Sequence, residues 1–244
     1  MAEADGSGSL AIEVRGLAKS YGAQVVLRNL DLSLHWGDFL IVFGPNGSGK
    51  TTLIKVLATI SRPAQGEIRV AGFDLKENTA AIRRNIGVVT HQPMLYGDLT
   101  ARENLKFHGK MFALANLEER IERAADLMGM GPHLERRAAT LSHGMQKRLS
   151  LARAILHDPP ILLLDEPETG LDQEALGMLG EMVGSSGRGR RTVLMATHSL
   201  ERGLALGNRL TILAGGKIAY QEERALVDEA RFKGTYSRFT GVAL

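Results

Sequence analysis

A glycine-rich segment near the start of the chain has the residue types and spacing of a phosphate-binding loop. It follows an apolar run at residues 39–43 and precedes a stretch whose apolar spacing predicts a helix. Glycines let backbone N–H groups converge on phosphate oxygens, while a lysine reaches the β and γ phosphates and a following threonine serves magnesium. This pattern of G, four residues and G-K-T is formed by Gly44, Pro45, Asn46, Gly47, Ser48, Gly49, Lys50 and Thr51.

A second candidate segment is an apolar run that ends in two carboxylates. Residues 161–164 predict a buried strand, and Asp165 and Glu166 follow directly. We expect this strand to neighbour the glycine loop. There, Asp165 can hold a magnesium shell and Glu166 can polarise water, as phosphoryl transfer to water requires.

A third candidate is the segment LSHGMQ, residues 141–146, which precedes an apolar helical run. Ser142 is well placed as the N-cap of that helix, and simple capping is one interpretation. A capped helix start is also a binding site for anions, because its free N–H groups and dipole favour negative charge. Local reasoning leaves both interpretations open.

The elements that position these segments indicate an α/β fold. Short apolar segments alternate with turns over residues 10–70 and predict a small antiparallel sheet. Strands at 161–164, 192–196 and 209–213, separated by lengths suited to crossover helices, predict a mostly parallel core sheet. Between them, residues 98–157 have a helical pattern, which indicates a helical insertion.

Two helix starts are predicted within that insertion. Thr100 and Glu103 have the spacing of a capping box, and Asn116 with Glu119 has the same spacing.

Composition excludes several classes of protein. The 244 residues contain no cysteine, so disulfides, thiolate zinc sites and iron–sulfur ligation are excluded. Lys and Arg number 30 against 27 Asp and Glu, and the basic pairs, among them Lys147-Arg148, are expected to be solvated, so no nucleic acid partner is expected. No apolar run reaches the length of a bilayer span, and residues 1–9 predict a disordered leader without the pattern of a signal peptide.

Taken together and in this order, the motifs resemble those of the nucleotide-binding subunits of ATP-binding cassette (ABC) transporters, from about residue 12 to 216. The glycine loop resembles the Walker A motif, LSHGMQ the signature motif and ILLLDE the Walker B strand. The resemblance implies a P-loop NTPase core with a RecA-like, mostly parallel sheet, an antiparallel β subdomain and a helical subdomain at residues 93–157. The predicted cassette covers residues 10–216 and is followed by a tail at 217–244, for which a docking role and a cover for the sheet edge are both open.

The resemblance also assigns roles to single residues. It implies that Glu166 is the general base, that Gln92 of the Q-loop links the metal to the transporter contact, and that His198 senses the γ-phosphate. Magnesium would be served by Thr51, Asp165 and Gln92. The remaining nucleotide contacts that it implies are Tyr21 stacked on adenine, Thr52, Ser142, Gly144 and Asp172 of the D-loop.

The partners that the resemblance implies are a second cassette and a membrane permease. Two cassettes would form a head-to-tail dimer with ATP and Mg²⁺ at each site, and Ser142 and Gly144 would contact the γ-phosphate bound by the other subunit. A separate integral membrane permease would receive the cassette near residues 92–103. The expected location is therefore the cytoplasm, at the inner face of the cell membrane.

Departures from the family pattern lie outside the residues assigned to hydrolysis. His143 stands where glycine is usual, Met145 where glutamine is usual, and Glu168 where a small hydroxyl residue is common. We expect an active ATPase, because Lys50 and Glu166 are intact; a cassette that only binds ATP is the alternative.

The segments THQPMLYGDLTARENLKFHGKMF and LSHGMQKRLSLARAILHDPPILLLDEPETGLD are most similar to the ATPases of haem exporters of cytochrome c maturation. This predicts an exporter, with haem as its substrate. Exporters of drugs or lipids are an alternative. A second is a cassette ATPase of DNA repair or ribosomes, although the chain lacks the long coiled-coil insertion or second cassette usual there.

Overall fold

The computed structural model describes residues 10–184 and 191–241, so the predicted leader lies outside the described residues. Its strands form two sheets, one antiparallel and one mostly parallel. In chain order they are β1 (Leu10–Tyr21), β2 (Gln24–His35), β3 (Phe39–Phe43), β4 (Gln65–Val70), β5 (Phe73–Asp74), β6 (Ile86–Val89), β7 (Ile161–Asp165), β8 (Thr192–Thr197), β9 (Arg209–Ala214) and β10 (Lys217–Glu223).

Helices cover the sheets and form the insertion between β6 and β7. In chain order they are α1 (Lys50–Leu57), α2 (Thr79–Asn85), α3 (Ala101–Met111), α4 (Leu117–Leu127), α5 (His143–Ile155), α6 (Gln173–Gly184), α7 (Leu200–Leu206) and α8 (Glu229–Thr240). Within the described ranges, no helix has both the length and the apolar character needed to cross a bilayer.

The antiparallel sheet has the strand order β2-β1-β4-β5, which confirms the prediction for residues 10–70. In β2, alternate residues turn inward from Leu30 to Leu34, so one face is buried and the other is solvated. Within this stretch of sequence, β3 is the exception. It is buried along its whole length and belongs to the other sheet.

The core sheet has the order β10-β9-β3-β8-β7-β6 and is parallel except for β10. In this order β8 lies between β3, which leads into the glycine loop, and β7, which ends in Asp165. Buried throughout, β8 makes parallel ladders with both neighbours, so it can occupy a central position. The mostly parallel α/β core itself is confirmed.

The insertion contains α3, α4 and α5, whose apolar faces join the core cluster beneath the parallel sheet. The capping box of Thr100 and Glu103 is present. Asn116 also precedes a helix, but its side chain caps nothing. At φ 52 its backbone is left-handed, whereas a capping side chain requires the extended conformation.

The C-terminal segment packs against the core in two places. β10 forms the antiparallel edge of the core sheet. On α8, Phe232 and Tyr236 are buried, and the Phe232 ring lies 5.4 Å from the ring of Phe43, which directly precedes the glycine loop. The described part of the tail therefore covers a sheet edge and adds to the core, while the domain limits stay a prediction.

Candidate active site

The glycine loop connects β3 to α1, and its conformation explains its glycines. Gly47 and Gly49 have φ angles of 80° and 110°, a region that other residues rarely adopt. A Cβ atom on Gly49 would also lie 2.6 Å from Leu27 Cδ2, and one on Gly44 would lie 2.6 Å from Ser48 Oγ. The loop is consequently a tight backbone cradle that leads straight into a helix N-terminus, which suits an anionic group.

The side chain of Lys50 folds back over the glycine loop. Its Nζ donates hydrogen bonds to the carbonyls of Gly44 at 2.6 Å and Pro45 at 3.1 Å, and the residue is 6% exposed. Burial lowers the pKa of Lys50, and the nearby charges of Glu166 and Asp165 oppose that shift. A buried cation held by neutral carbonyls is available to a phosphate group placed in the loop.

The other residues of the loop and of the first turn of α1 differ in exposure. Asn46 is exposed, while Thr51 is half-buried and Thr52 is buried. The Oγ atom of Ser48 is buried and, among the described residues, has no hydrogen-bond partner. Such an atom normally has a partner, so the loop fits a ligand that supplies one.

Asp165, at the end of β7, provides the best test of a magnesium site. The residue is 1% exposed, and neither of its carboxylate oxygens has a hydrogen-bond partner within the described structure. Burial raises the pKa of Asp165, and the nearby Thr51 hydroxyl opposes that shift. Oxygen ligands buried without partners fit Mg²⁺, which needs few protein ligands when phosphate oxygens complete its shell.

Glu166 and His198 lie against each other at the ends of β7 and β8. Glu166 Oε1 is 3.1 Å from His198 Nδ1, and the side chains are 22% and 57% exposed. Glu166 has a φ of 46°, so the chain leaves the strand conformation at this residue. The pair therefore presents a carboxylate and an imidazole that reach solvent together beside Asp165, where a water molecule could be activated.

Gln92 follows β6 at the edge of the insertion. Its side chain is exposed, and its backbone carbonyl accepts a hydrogen bond of 2.7 Å from Thr90 Oγ1. In the described part of the chain, no hydrogen bond joins the Gln92 side chain to Asp165 or Thr51. This predicted metal ligand thus lies between β6 and α3, and no hydrogen bond joins it to the other two predicted ligands in the described structure.

Ser142 caps α5, with its Oγ accepting a hydrogen bond of 3.3 Å from the N–H of Met145. Capping does not exclude anion binding, because Ser142 is exposed at the start of a thirteen-residue helix. Gly144 lies against the backbone of Gly170, whose oxygen would be 2.9 Å from a Cβ atom there. No hydrogen bond within the described ranges joins this segment to the glycine loop.

Asp172 caps α6, because its Oδ1 accepts a hydrogen bond of 2.9 Å from the N–H of Ala175. Arg148 Nη2 donates to both carboxylate oxygens of Asp172, each at 2.7 Å. Arg148 is a contact that the sequence did not reveal. The basic pair was expected to be solvated, yet the Arg148 side chain is 14% exposed and Lys147 is 8% exposed. Both lie on α5, where helical periodicity turns them toward the D-loop and the core.

Tyr21 ends β1 and is 48% exposed. The Nζ atom of Lys19 lies 4.8 Å from the centre of its ring. An exposed ring of this kind offers a stacking surface, as an adenine site requires.

Comparison with known proteins identifies the class of this arrangement. The family model described as "ABC transporter" matches residues 27–169. Over 220 residues the chain is 35% identical to the Nod factor export ATP-binding protein I of Cupriavidus pinatubonensis, covering 89% of this chain and 68% of that protein. Over 198 residues it is 34% identical to the ABC transporter ATP-binding protein NatA of Bacillus subtilis, covering 80% of each.

A solved structure supports the same assignment. It is a dimeric post-hydrolysis state of the ATP-binding cassette MJ0796 bound to ADP and Pi, with a TM-score of 0.79, 25% identity, and coverage of 87% of this chain and 98% of that one. The chain belongs to the ABC transporter family and is an ATP-binding subunit with the P-loop NTPase fold. It is an ATPase, and Mg²⁺ is the usual partner of its ATP.

Proposed function

We propose that this ATPase powers export through a separate permease, at the cytoplasmic face of the cell membrane. The similarity to proteins named for Nod factor export carries the direction of transport. The haem prediction has no support among these relatives and is not part of the proposal. Drugs and lipids stay alternatives for the substrate.

Hydrolysis follows from the groups that the fold brings together. Lys50 and the loop N–H groups hold the phosphates, and Thr51 and Asp165 would hold Mg²⁺, which supplies Lewis-acid stabilisation when bound. Water attacks the γ-phosphorus as the bond to the β-phosphate oxygen breaks, and Glu166 accepts a proton of that water. His198 orients Glu166 and contacts the γ-phosphate, while Tyr21 stacks on adenine.

A second cassette completes each site in this proposal. Ser142 is exposed and Gly144 is half-buried. The free N–H groups at the start of α5 suit a γ-phosphate held by the opposite subunit. Asp172, fixed by Arg148, lies at the same dimer surface.

The permease is proposed to dock in a groove between the core and the insertion. A cavity of about 520 Å³ there is lined mainly by apolar side chains, and Met94, Tyr96, Phe107 and Met111 of that lining are exposed. Its lining includes Arg83 and Arg153 and no Asp or Glu. An amphipathic cytoplasmic helix with an acidic residue would complement both features.

Affinity purification of Glu166→Gln from gently solubilised membranes of the native host, with ATP, tests the proposal. We expect a multi-span membrane protein to be recovered. Met111→Glu should abolish that recovery, because it places a charge in the apolar groove. Leu226→Glu is the matched control: Met111 is 69% and Leu226 is 70% exposed, and Leu226 lies outside the groove.

The outcomes separate the alternatives. Recovery of ribosomes or DNA-repair proteins in place of a permease would overturn the transport proposal and leave the ATPase assignment intact. Equal loss of the permease in Met111→Glu and Leu226→Glu would overturn the groove as the docking site.

A further inference from the structure

Glu168 is a buried carboxyl group in the segment between β7 and α6. It is 2% exposed, and its Oε1 forms a hydrogen bond with Thr197 Oγ1. Its Oε2 is buried and lacks a hydrogen-bond partner in the described part of the chain. Burying a carboxyl group costs free energy, so the contact with Thr197 offsets part of a substantial penalty.

The hydrogen bond has a defined direction. The N–H of Ser199 donates to Thr197 Oγ1 at 2.9 Å, so this oxygen already serves as an acceptor. The single hydroxyl proton of Thr197 is donated to Glu168 Oε1. Glu168, Thr197 and Ser199 form a short chain of hydrogen bonds around His198.

This chain joins the two segments that carry the reactive pair. Glu168 lies two residues after Glu166, and Thr197 directly precedes His198. The ladder between β7 and β8 ends at the pair Asp165 and Ala196, and β8 pairs with β3 as far as Thr197, so no strand pairing fixes Glu166, Glu168 or His198.

Two further contacts hold the same segments. The N–H of Glu166 donates to the carbonyl of Ala196 at 2.9 Å, and Arg202 Nη1 of α7 donates to the carbonyl of Glu168 at 3.4 Å. The Glu168 side chain is thus one of few connections between the segments beyond the sheet.

We propose that Glu168 is a positioning residue that holds His198 against Glu166 by fixing the hydroxyl of Thr197. The inference rests on the proposed roles of Glu166 and His198. Glu168 is 2% exposed and acts through Thr197. Its removal frees the His198 loop, and a misplacement of about 1 Å in a catalytic group can lower turnover by up to about 100-fold.

The test measures ATPase kinetics for Glu168→Ala, Glu168→Gln and Thr197→Val. Glu168→Ala and Thr197→Val each remove one end of the hydrogen bond, and we expect kcat to fall at least about tenfold with KM within about twofold. Glu168→Gln keeps a carbonyl acceptor and should retain kcat within about threefold. Glu201→Gln, an exposed carboxylate on α7, is the control and should behave as the wild type.

A second measurement separates positioning from loss of folding. The imidazole ¹⁵N resonances of His198 should shift or broaden in Glu168→Ala and Thr197→Val and keep their positions in Glu168→Gln and Glu201→Gln. Unchanged His198 resonances in both Glu168→Ala and Thr197→Val would overturn the inference, whatever happens to activity. If Glu166→Gln is inactive while Glu168→Ala is fully active, the inference fails alone; if Glu166→Gln is fully active, the proposed catalytic roles fail.

Discussion

The core and the helical insertion present their site residues in opposite ways. In the core, Lys50, Ser48 and Asp165 are at most 6% exposed. In the insertion, Ser142 is exposed at the start of α5, and Gln92 is exposed where the insertion begins. The core therefore buries the polar groups around the glycine loop, whereas the insertion turns its polar groups outward.

This difference indicates that the two halves serve different partners. A buried, preformed cradle suits a ligand that must be held with fixed geometry. Exposed donors at a helix start, and an exposed apolar groove beside them, need another chain to complete them. The predictions below test that division.

The largest effect is expected for Glu166→Gln in the core. Hydrolysis should fall at least about 100-fold, because the proposed general base is lost while the shape of the site remains. ATP binding should persist, and the dimer should be more stable because hydrolysis no longer leads to its dissociation. Phosphate release, nucleotide binding and light scattering measure the three quantities, with the exposed Glu174→Gln as control; unchanged hydrolysis would remove Glu166 from its role.

The division between core and insertion can be tested by mixing two inactive variants. Lys50→Ala should disable the core half and Ser142→Arg the insertion half, so each variant alone should be inactive. In a mixed dimer, one site combines the intact Lys50 of one subunit with the intact Ser142 of the other. A 1:1 mixture should recover activity up to about a quarter of the wild type, given random pairing in a two-fold dimer. An inactive mixture that forms mixed dimers would contradict completion of each site by the other subunit.

The junction between the two regions should be sensitive to acid through His108. Burial first, and then the charges of Arg153 and His157, lower the pKa of His108 to about 3. The unfolded chain takes up this proton below about pH 6.5, so the neutral form stabilises the folded state above that pH and the contribution is lost as the pH falls. When the pH falls from 7 to 5, the free energy of unfolding should decrease in the wild type and in His108→Phe. The decrease should be smaller in His108→Phe, by about 1–2 kcal/mol.

Urea denaturation at a series of pH values measures this difference. His91→Phe is the control, because His91 is exposed and should leave the acid dependence unchanged. Parallel pH curves for His108→Phe and the wild type would show that this histidine is not kept neutral by the fold.

The smallest effect is expected on the surface of the insertion. Arg102 contacts Glu118, Glu122 and Glu135, which connect α3 to α4 and to the following turn. The glutamates are about half or more exposed, so solvent screens the attraction. Arg102→Ala should lower the free energy of unfolding by no more than about 1 kcal/mol and leave kcat unchanged. Thermal unfolding and ATPase assays check this, and a large loss of activity would mean that the insertion surface matters for the core.

Much of the fold followed from local patterns. The glycine loop, the buried run of β3, the capping box of Thr100 and Glu103 and the antiparallel sheet were each predicted from neighbouring residues. The side-chain cap at Asn116 was wrong, because local spacing does not reveal a left-handed backbone. The contact of Arg148 with Asp172 was missed, because it joins residues 24 positions apart.

The sequence by itself determined the features whose geometry is local: the phosphate cradle, which needs only closely spaced glycines before a helix, and the apolar strands. The tertiary structure decided which side chains from distant segments the strand order brings together. With β8 beside β7, Glu166 meets His198 and Glu168 meets Thr197, although the paired residues are 32 and 29 positions apart. It also decided that β10 pairs with β9 and forms the antiparallel edge strand of the core sheet. Such contacts depend on packing between distant segments, and periodicity within each segment does not encode which neighbour it will have.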